Sequence, residues 1–192
     1  MSGLPGSGKT AMADEIGRAL RCPVVSVDPI EAAILQAGIG RSFETGLAAY
    51  IVAEALADAQ LAAGLDVVID AANYVEPGRA MWRSLARKHG FQLRIIECFV
   101  SDPAVHGARL AGRDRGLAIA EPTSGDIERQ RAEWTPWRES HLILDAIEPL
   151  EANVARALAY LDPAAAARAG GPVSRRASGR PPPRSARRGP VR

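Results

Sequence analysis

One motif near the start of this 192-residue chain constrains its fold more than any other feature. Eight consecutive residues match G-x-x-x-x-G-K-[ST] at every required position: Gly3-Leu4-Pro5-Gly6-Ser7-Gly8-Lys9-Thr10. Glycines let the backbone N–H groups of such a loop turn inward toward phosphate oxygens, and the helix that follows adds its N-terminal dipole. The motif therefore predicts a nucleoside triphosphate site formed by Gly3, Pro5, Gly6, Ser7, Gly8, Lys9 and Thr10.

Two side chains of this loop have distinct predicted roles. Lys9 is expected to reach the β- and γ-phosphates of ATP, and the Thr10 hydroxyl is expected to ligate Mg²⁺. The alternative is a glycine-rich turn before a helix, and it is disfavoured because Lys9 is one of only two lysines in the chain.

The residues before the loop conflict with the usual pattern. A loop of this kind normally follows a buried strand, but only Met1 and Ser2 precede Gly3. We expect the first strand to be missing, with its apolar residues encoded upstream of Met1. Its absence would leave two neighbouring strands without a hydrogen-bonding partner.

Short apolar segments alternate with helical stretches along residues 1–162. The predicted helices lie at residues 10–20, 29–37, 43–63, 77–89, 103–113, 124–134 and 149–161, and the alanine-rich helix at 43–63 is expected to lie in the core. The predicted strands lie at residues 24–27, 67–69, 93–100 and 142–144, and each is followed within two residues by an aspartate. Continuous apolar strands of this length are typical of a parallel sheet buried on both faces. Their alternation with helices predicts an α/β layered domain over residues 1–162.

Two of these aspartates are candidate site residues, because ligands of open parallel sheets bind at the carboxyl ends of the strands. Asp70 follows Val67-Val68-Ile69, which favours a Mg²⁺-binding carboxylate. Asp28 is placed to accept the proton of an attacking hydroxyl. The alternative for each is a helix or turn cap, and Asp28-Pro29 has the sequence of an N-cap followed by proline.

Arginines are concentrated between Arg109 and Arg115. Arg109 and Arg113 are four residues apart and are therefore expected to share a helix face. We predict that they lie in a lid that closes over ATP and stabilises transferring charge, with Gly112 and Gly116 as flexible points. The alternative is a solvated basic helix face.

The charge of the chain is divided between two unlike regions. The formal net charge is +2, but residues 163–192 contain eight arginines and no acidic residue, so residues 1–162 carry −6. The tail is rich in Arg, Pro and Ala and is predicted to be disordered. The chain has no apolar run long enough for a transmembrane helix and no visible secretory signal, so a cytoplasmic location is expected.

These residues together resemble the small P-loop kinases grouped with AAA-family ATPase-like proteins. The resemblance is carried by GLPGSGKT, by Val27-Asp28-Pro29, by VVIDAAN at 67–73 and by Asp102-Pro103 with Arg109 and Arg113. Polynucleotide 5′-kinase, gluconate kinase and chloramphenicol phosphotransferase domains are similar. The resemblance implies a P-loop NTPase three-layer sandwich with a parallel sheet of order 2-3-1-4-5.

The expected activity is transfer of the γ-phosphate of ATP, with Mg²⁺, to a hydroxyl of a small-molecule acceptor. Lys9, Asp28, Arg109 and Arg113 are the expected catalytic residues, Arg113 also contacts ATP, and Thr10 and Asp70 hold the metal. Two alternatives stay open: a nucleotide-hydrolysing switch without an acceptor, and a nucleic-acid end kinase that uses the basic tail. A monomer or dimer without membrane contact is expected.

Overall fold

The computed structural model describes residues 1–162, in which short parallel strands alternate with helices. The predicted disordered tail, residues 163–192, lies outside the described residues. In chain order the elements are α1 Lys9–Leu20, β1 Val24–Ser26, α2 Val27–Gln36, α3 Phe43–Ala62, β2 Val68–Asp70, α4 Glu76–His89, β3 Ile96–Phe99, α5 Pro103–Ala111, α6 Ser124–Glu133, β4 Leu142–Asp145 and α7 Leu150–Leu161.

The strands form two parallel pairs, β1 with β2 and β3 with β4. The N-terminal residues lie between the two pairs. Ser2 forms a parallel bridge with Glu97, its N–H donates to the Ile96 carbonyl at 2.9 Å, and the Cys98 N–H donates back to the Ser2 carbonyl at 2.8 Å. On the other side, the Gly3 N–H donates to the Ala72 carbonyl at 3.1 Å. When the N-terminal segment is numbered strand 1 and β1 to β4 are numbered strands 2 to 5, the sheet order is 2-3-1-4-5. This order confirms the predicted topology.

The central position is filled only at its carboxyl end, near the phosphate loop. Within residues 1–162 it holds a single bridge rather than a strand, as expected from the sequence. The Met1 ammonium donates to the Ile69 carbonyl at 2.6 Å, and burial lowers the pKa of this amino group. Behind Met1, a cavity of about 510 Å³ lies between Val67 and the residues that lead into β3.

Two apolar clusters cover the faces of the sheet and define a three-layer arrangement. On one face, Trp82 and Leu85 of α4 pack with the alanines that α3 turns inward, Ala49, Ala53 and Ala57. On the other face, α1 and α7 enclose a second cluster: Met12, Ile16, Ile96, Cys98, Leu144 and Ala157. The predicted three-layer α/β sandwich is therefore confirmed. None of the helices within residues 1–162 combines the length and apolar character needed to cross a membrane.

Candidate active site

The phosphate loop joins the central N-terminal segment to α1, and two of its glycines are sterically required. Gly3 has φ +150°, and a Cβ built there would lie 2.4 Å from the Cys98 carbonyl oxygen. Gly8 has φ +79° and is the N-cap of α1. A side chain at either position would strain the backbone, because L-residues rarely adopt such φ values.

The start of α1 offers donors to an anion. The helix has no side-chain cap and no acidic residue in its first turn, so neither competes for its first N–H groups. The loop is also held by α5, because His106 Nε2 lies 2.8 Å from the Pro5 carbonyl oxygen. The Ser7 Oγ is buried and has no hydrogen-bond partner among the described residues.

Lys9 is the first residue of α1 and is almost fully buried. Burial lowers the pKa of Lys9, while the nearby carboxylates of Asp70 and Asp28 raise it. The lysine is thus close enough to sense both acidic residues that the sequence analysis singled out.

Thr10 and Asp70 lie together, as a shared metal site requires. The Thr10 hydroxyl donates to Asp70 Oδ2 at 2.8 Å, and the Ser26 hydroxyl donates to the same oxygen at 3.1 Å. The second oxygen, Oδ1, is buried and has no hydrogen-bond partner in the described part of the chain. An orphaned carboxylate oxygen beside a hydroxyl fits Mg²⁺, which prefers oxygen ligands and takes the remainder from water and phosphate. The Asp70 carboxylate accepts from side-chain hydroxyls and does not act as a helix or turn cap.

Asp28 lies in the first turn of α2, whose N-cap is Ser26. The alternative that Asp28 is the N-cap, with Pro29 as the first helical residue, is wrong, because the helix begins two residues earlier than that pattern requires. The Asp28 carboxylate is instead paired with arginines: it accepts from Arg115 Nη1, and its Oδ2 lies 3.9 Å from Arg113 Nη2.

Glu121 joins the same group of charges from the chain that precedes α6. It lies 3.2 Å from Arg113 Nε and 2.9 Å from Arg115 Nε. We call Asp28, Arg113, Arg115 and Glu121 the lid cluster. Among residues 1–162, Arg113 Nη1 is buried without a hydrogen-bond partner. Lys9 and Asp28 act electrostatically on both arginines, and Asp70 acts on Arg113.

Arg109 does not join the lid cluster. Its side chain is exposed, and Nη2 donates to the Ala146 carbonyl at 2.7 Å. The expectation that Arg109 and Arg113 share one helix face is wrong, because α5 ends at Ala111 with Gly112 as its C-cap. Arg113 therefore lies in the loop, where the spacing of a helix no longer applies.

A family model of an AAA domain matches residues 1–137. The chain belongs to this AAA domain family. A search of curated proteins gives no match.

Solved structures of kinases share the fold of this AAA domain. A sugar kinase from Janibacter sp. HTCC2649 is 23% identical with a TM-score of 0.63, covering 86% of this chain and 94% of that one. An APS kinase from Mycobacterium tuberculosis, solved with AMPPNP and APS, is 19% identical with a TM-score of 0.64, covering 84% and 94%. A gluconokinase from Sinorhizobium meliloti 1021 is 19% identical with a TM-score of 0.64, covering 88% and 93%. The predicted P-loop fold is confirmed.

A buried network in this AAA domain fixes the start of the phosphate loop. Asn73, at φ +52°, donates to the Met1 carbonyl at 2.8 Å and accepts from Trp82 Nε1 at 2.8 Å. The buried Arg79 donates to the Asn73 carbonyl at 2.7 Å, and its guanidinium carbon lies 4.1 Å from the Trp137 ring centroid. These residues therefore support the loop from behind.

Sequence reasoning missed three residues at or beside the site. Arg115 was visible only as part of an arginine-rich segment, and an Arg-x-Arg pattern gave it no role of its own. His106 looked like an isolated histidine, and its contact with Pro5 joins residues 101 positions apart. Glu121 had no recognisable motif, because its partners come from a loop whose path depends on the tertiary fold.

Proposed function

We propose that this AAA domain is a P-loop kinase that transfers the γ-phosphoryl group of ATP to a hydroxyl of a small-molecule acceptor. The observation that carries the proposal is Asp28: it is not a helix cap, and it faces the arginines Arg113 and Arg115 beside Lys9. A carboxylate at this position can accept a proton from an acceptor hydroxyl or from water, so a dependence of ADP release on a hydroxyl compound distinguishes a kinase from a hydrolysing switch.

Each residue has a separate task in the proposed reaction. The loop amides and Lys9 bind the phosphates, and Thr10 and Asp70 would hold Mg²⁺, which supplies charge neutralisation at the phosphates when bound. The acceptor oxygen attacks the γ-phosphorus, the bond to the β-phosphate oxygen breaks, and the acceptor proton passes to Asp28. Arg113 and Arg115 stabilise the charge on the transferring oxygens.

ADP release tests this proposal directly. The full chain is assayed with ATP and Mg²⁺ against a panel of sugars, polyols and nucleosides, alongside Asp28→Asn. At least one hydroxyl compound is expected to raise ADP release above the basal rate. In Asp28→Asn this stimulated rate is expected to fall about 100-fold or more, because Asn cannot accept the proton.

The exposed α1 residue Asp14 gives a matched control. Asp14→Asn removes one carboxylate outside the site and is expected to keep the parental stimulated rate. Equal stimulated rates in Asp28→Asn and the parent chain would remove Asp28 from the reaction. ADP release that no hydroxyl compound raises would favour the hydrolysing switch instead.

A further inference from the structure

The outward face of α3 is apolar along its whole length. Its large exposed side chains are Phe43, Leu47, Ile51, Val52 and Leu56, and Phe43 is 80% exposed. Of the exposed residues on this helix only Glu44, at its start, carries a charge. We call this surface the α3 face. A helix that is apolar on all sides is normally buried on all sides, so this one is missing a partner.

Along one row of the α3 face, in which residues are spaced four apart, the side chains become smaller toward the end of the helix. The first half of the row is bulky, with Phe43, Leu47 and Ile51, and the second half is small, with Ala55, Ala59 and Ala63. Residues four apart form a ridge on a helix surface. A second α3 running antiparallel would place the bulky half of each ridge against the small half of the other. The face is therefore complementary to itself about a two-fold axis near Val52.

The size of the α3 face matches a modest homodimer interface. A 20-residue helix is about 30 Å long, and with its side chains its outward face presents on the order of 600 Å². Stable specific interfaces bury at least about 600 Å² on each partner. Ile39 and Leu65, in the chain segments just before and just after the helix, are also 55% and 51% exposed.

The charges around α3 favour the antiparallel pair over other occupants. The two Glu44 side chains would lie at opposite ends of an antiparallel pair, whereas a parallel pair would bring them together. The other two carboxylates of the helix, Glu54 and Asp58, are half-buried at the edge of the α3 face, and Asp58 pairs with Lys88 at 2.7 Å and His89 at 2.6 Å. The helix contains no lysine or arginine, which disfavours a membrane surface because interfacial helices carry basic residues on their polar face.

We propose that the α3 face is a homodimer interface in which two copies of this chain pack their α3 helices antiparallel around Val52. This inference does not depend on the proposed activity, because it rests on the surface opposite the helix's buried alanines and not on the phosphate loop.

Mass measurement provides the first test. The full chain is expected to sediment as a dimer at micromolar to tens of micromolar concentration, and Ile51→Arg is expected to be monomeric, because two buried guanidinium groups would face an apolar partner. Ile147→Arg changes another apolar residue of similar exposure outside the face and is expected to stay dimeric. A monomeric parent chain, or a dimeric Ile51→Arg variant, would overturn the proposal.

Cross-linking tests the orientation and does not depend on how the Ile51→Arg variant folds. In a Cys22→Ser background, Val52→Cys lies beside the proposed axis and is expected to form an intermolecular disulfide on mild oxidation. Phe43→Cys places its thiol at opposite ends of the pair and is expected to remain monomeric on non-reducing gels. Cross-linking of Phe43→Cys as readily as Val52→Cys would contradict the antiparallel arrangement.

Discussion

The two ends of the candidate site are held in different ways. At the phosphate end, the loop is fixed by backbone geometry and by side-chain contacts to its backbone carbonyls, such as His106 with Pro5 and Asn73 with Met1. At the acceptor end, the lid cluster consists of four charged side chains that pair with one another. The phosphate end is therefore preformed, whereas under the proposed function ATP would compete with Glu121 and Asp28 for the lid arginines.

The largest effect is expected at the phosphate end, from Lys9→Ala. Removal of a preorganised cation should lower kcat/KM for ATP by about 100- to 1,000-fold, since no other described side chain replaces it at the phosphates. The control is Lys88→Ala, which removes the other lysine of the chain and an exposed pair with Asp58. Steady-state ADP release measures both, and similar losses in the two variants would contradict the assignment of Lys9.

The next effect concerns the rigidity of the phosphate end. Gly3→Ala should lower the free energy of unfolding by about 2–3 kcal/mol, because its Cβ would meet the Cys98 carbonyl and its φ suits only glycine. In α3, the Cβ of Gly46→Ala would meet no atom of residues 1–162 within 4 Å, so this change should instead raise stability by about 0.5–1 kcal/mol. Urea unfolding distinguishes these outcomes, and an unchanged midpoint in Gly3→Ala would show that the loop is not sterically fixed.

A smaller effect is expected from the lid arginines. Arg113→Ala should lower the acceptor-stimulated kcat by about 10- to 100-fold, the value of one or two charge-assisted hydrogen bonds. Arg109→Ala should change it by less than about threefold, because Arg109 is exposed and binds the Ala146 carbonyl instead. Single-turnover measurements of phosphoryl transfer compare the two variants. An equal loss of rate in both would mean that Arg109 contributes to the reaction as much as Arg113 does.

The smallest effect tests whether the lid cluster opposes nucleotide binding. Glu121→Gln removes the negative charge that pairs with Arg113 and Arg115. Because the arginines would then be freer to bind ATP, the Kd for ATP should fall by about two- to fivefold. Glu128→Gln, on the exposed surface of α6, serves as the control and should leave the Kd unchanged. Calorimetric titration measures both, and weaker ATP binding in Glu121→Gln would mean that Glu121 positions the arginines rather than competing for them.

Much of the fold was predictable because it depends on local patterns. The apolar runs that end at Asp28 and Asp70 located β1 and β2 to within about a residue, and helical periodicity located all seven helices of the described region. The errors lie at element ends. The sequence pattern extended α5 to Arg113 and began α2 at Pro29, since a glycine C-cap and a serine N-cap compete closely with their neighbours.

The sequence by itself determined the phosphate end, because its chemistry depends on glycines, a lysine and a threonine that are consecutive in the chain. Only the tertiary structure decided the acceptor end. The ion pairs there join residues as far as 87 positions apart, Asp28 and Arg115, so they depend on how the loop between α5 and α6 folds back over α2. The same holds for the α3 face, because its apolar residues were expected in the core and only the packed structure shows which side of the helix the core covers.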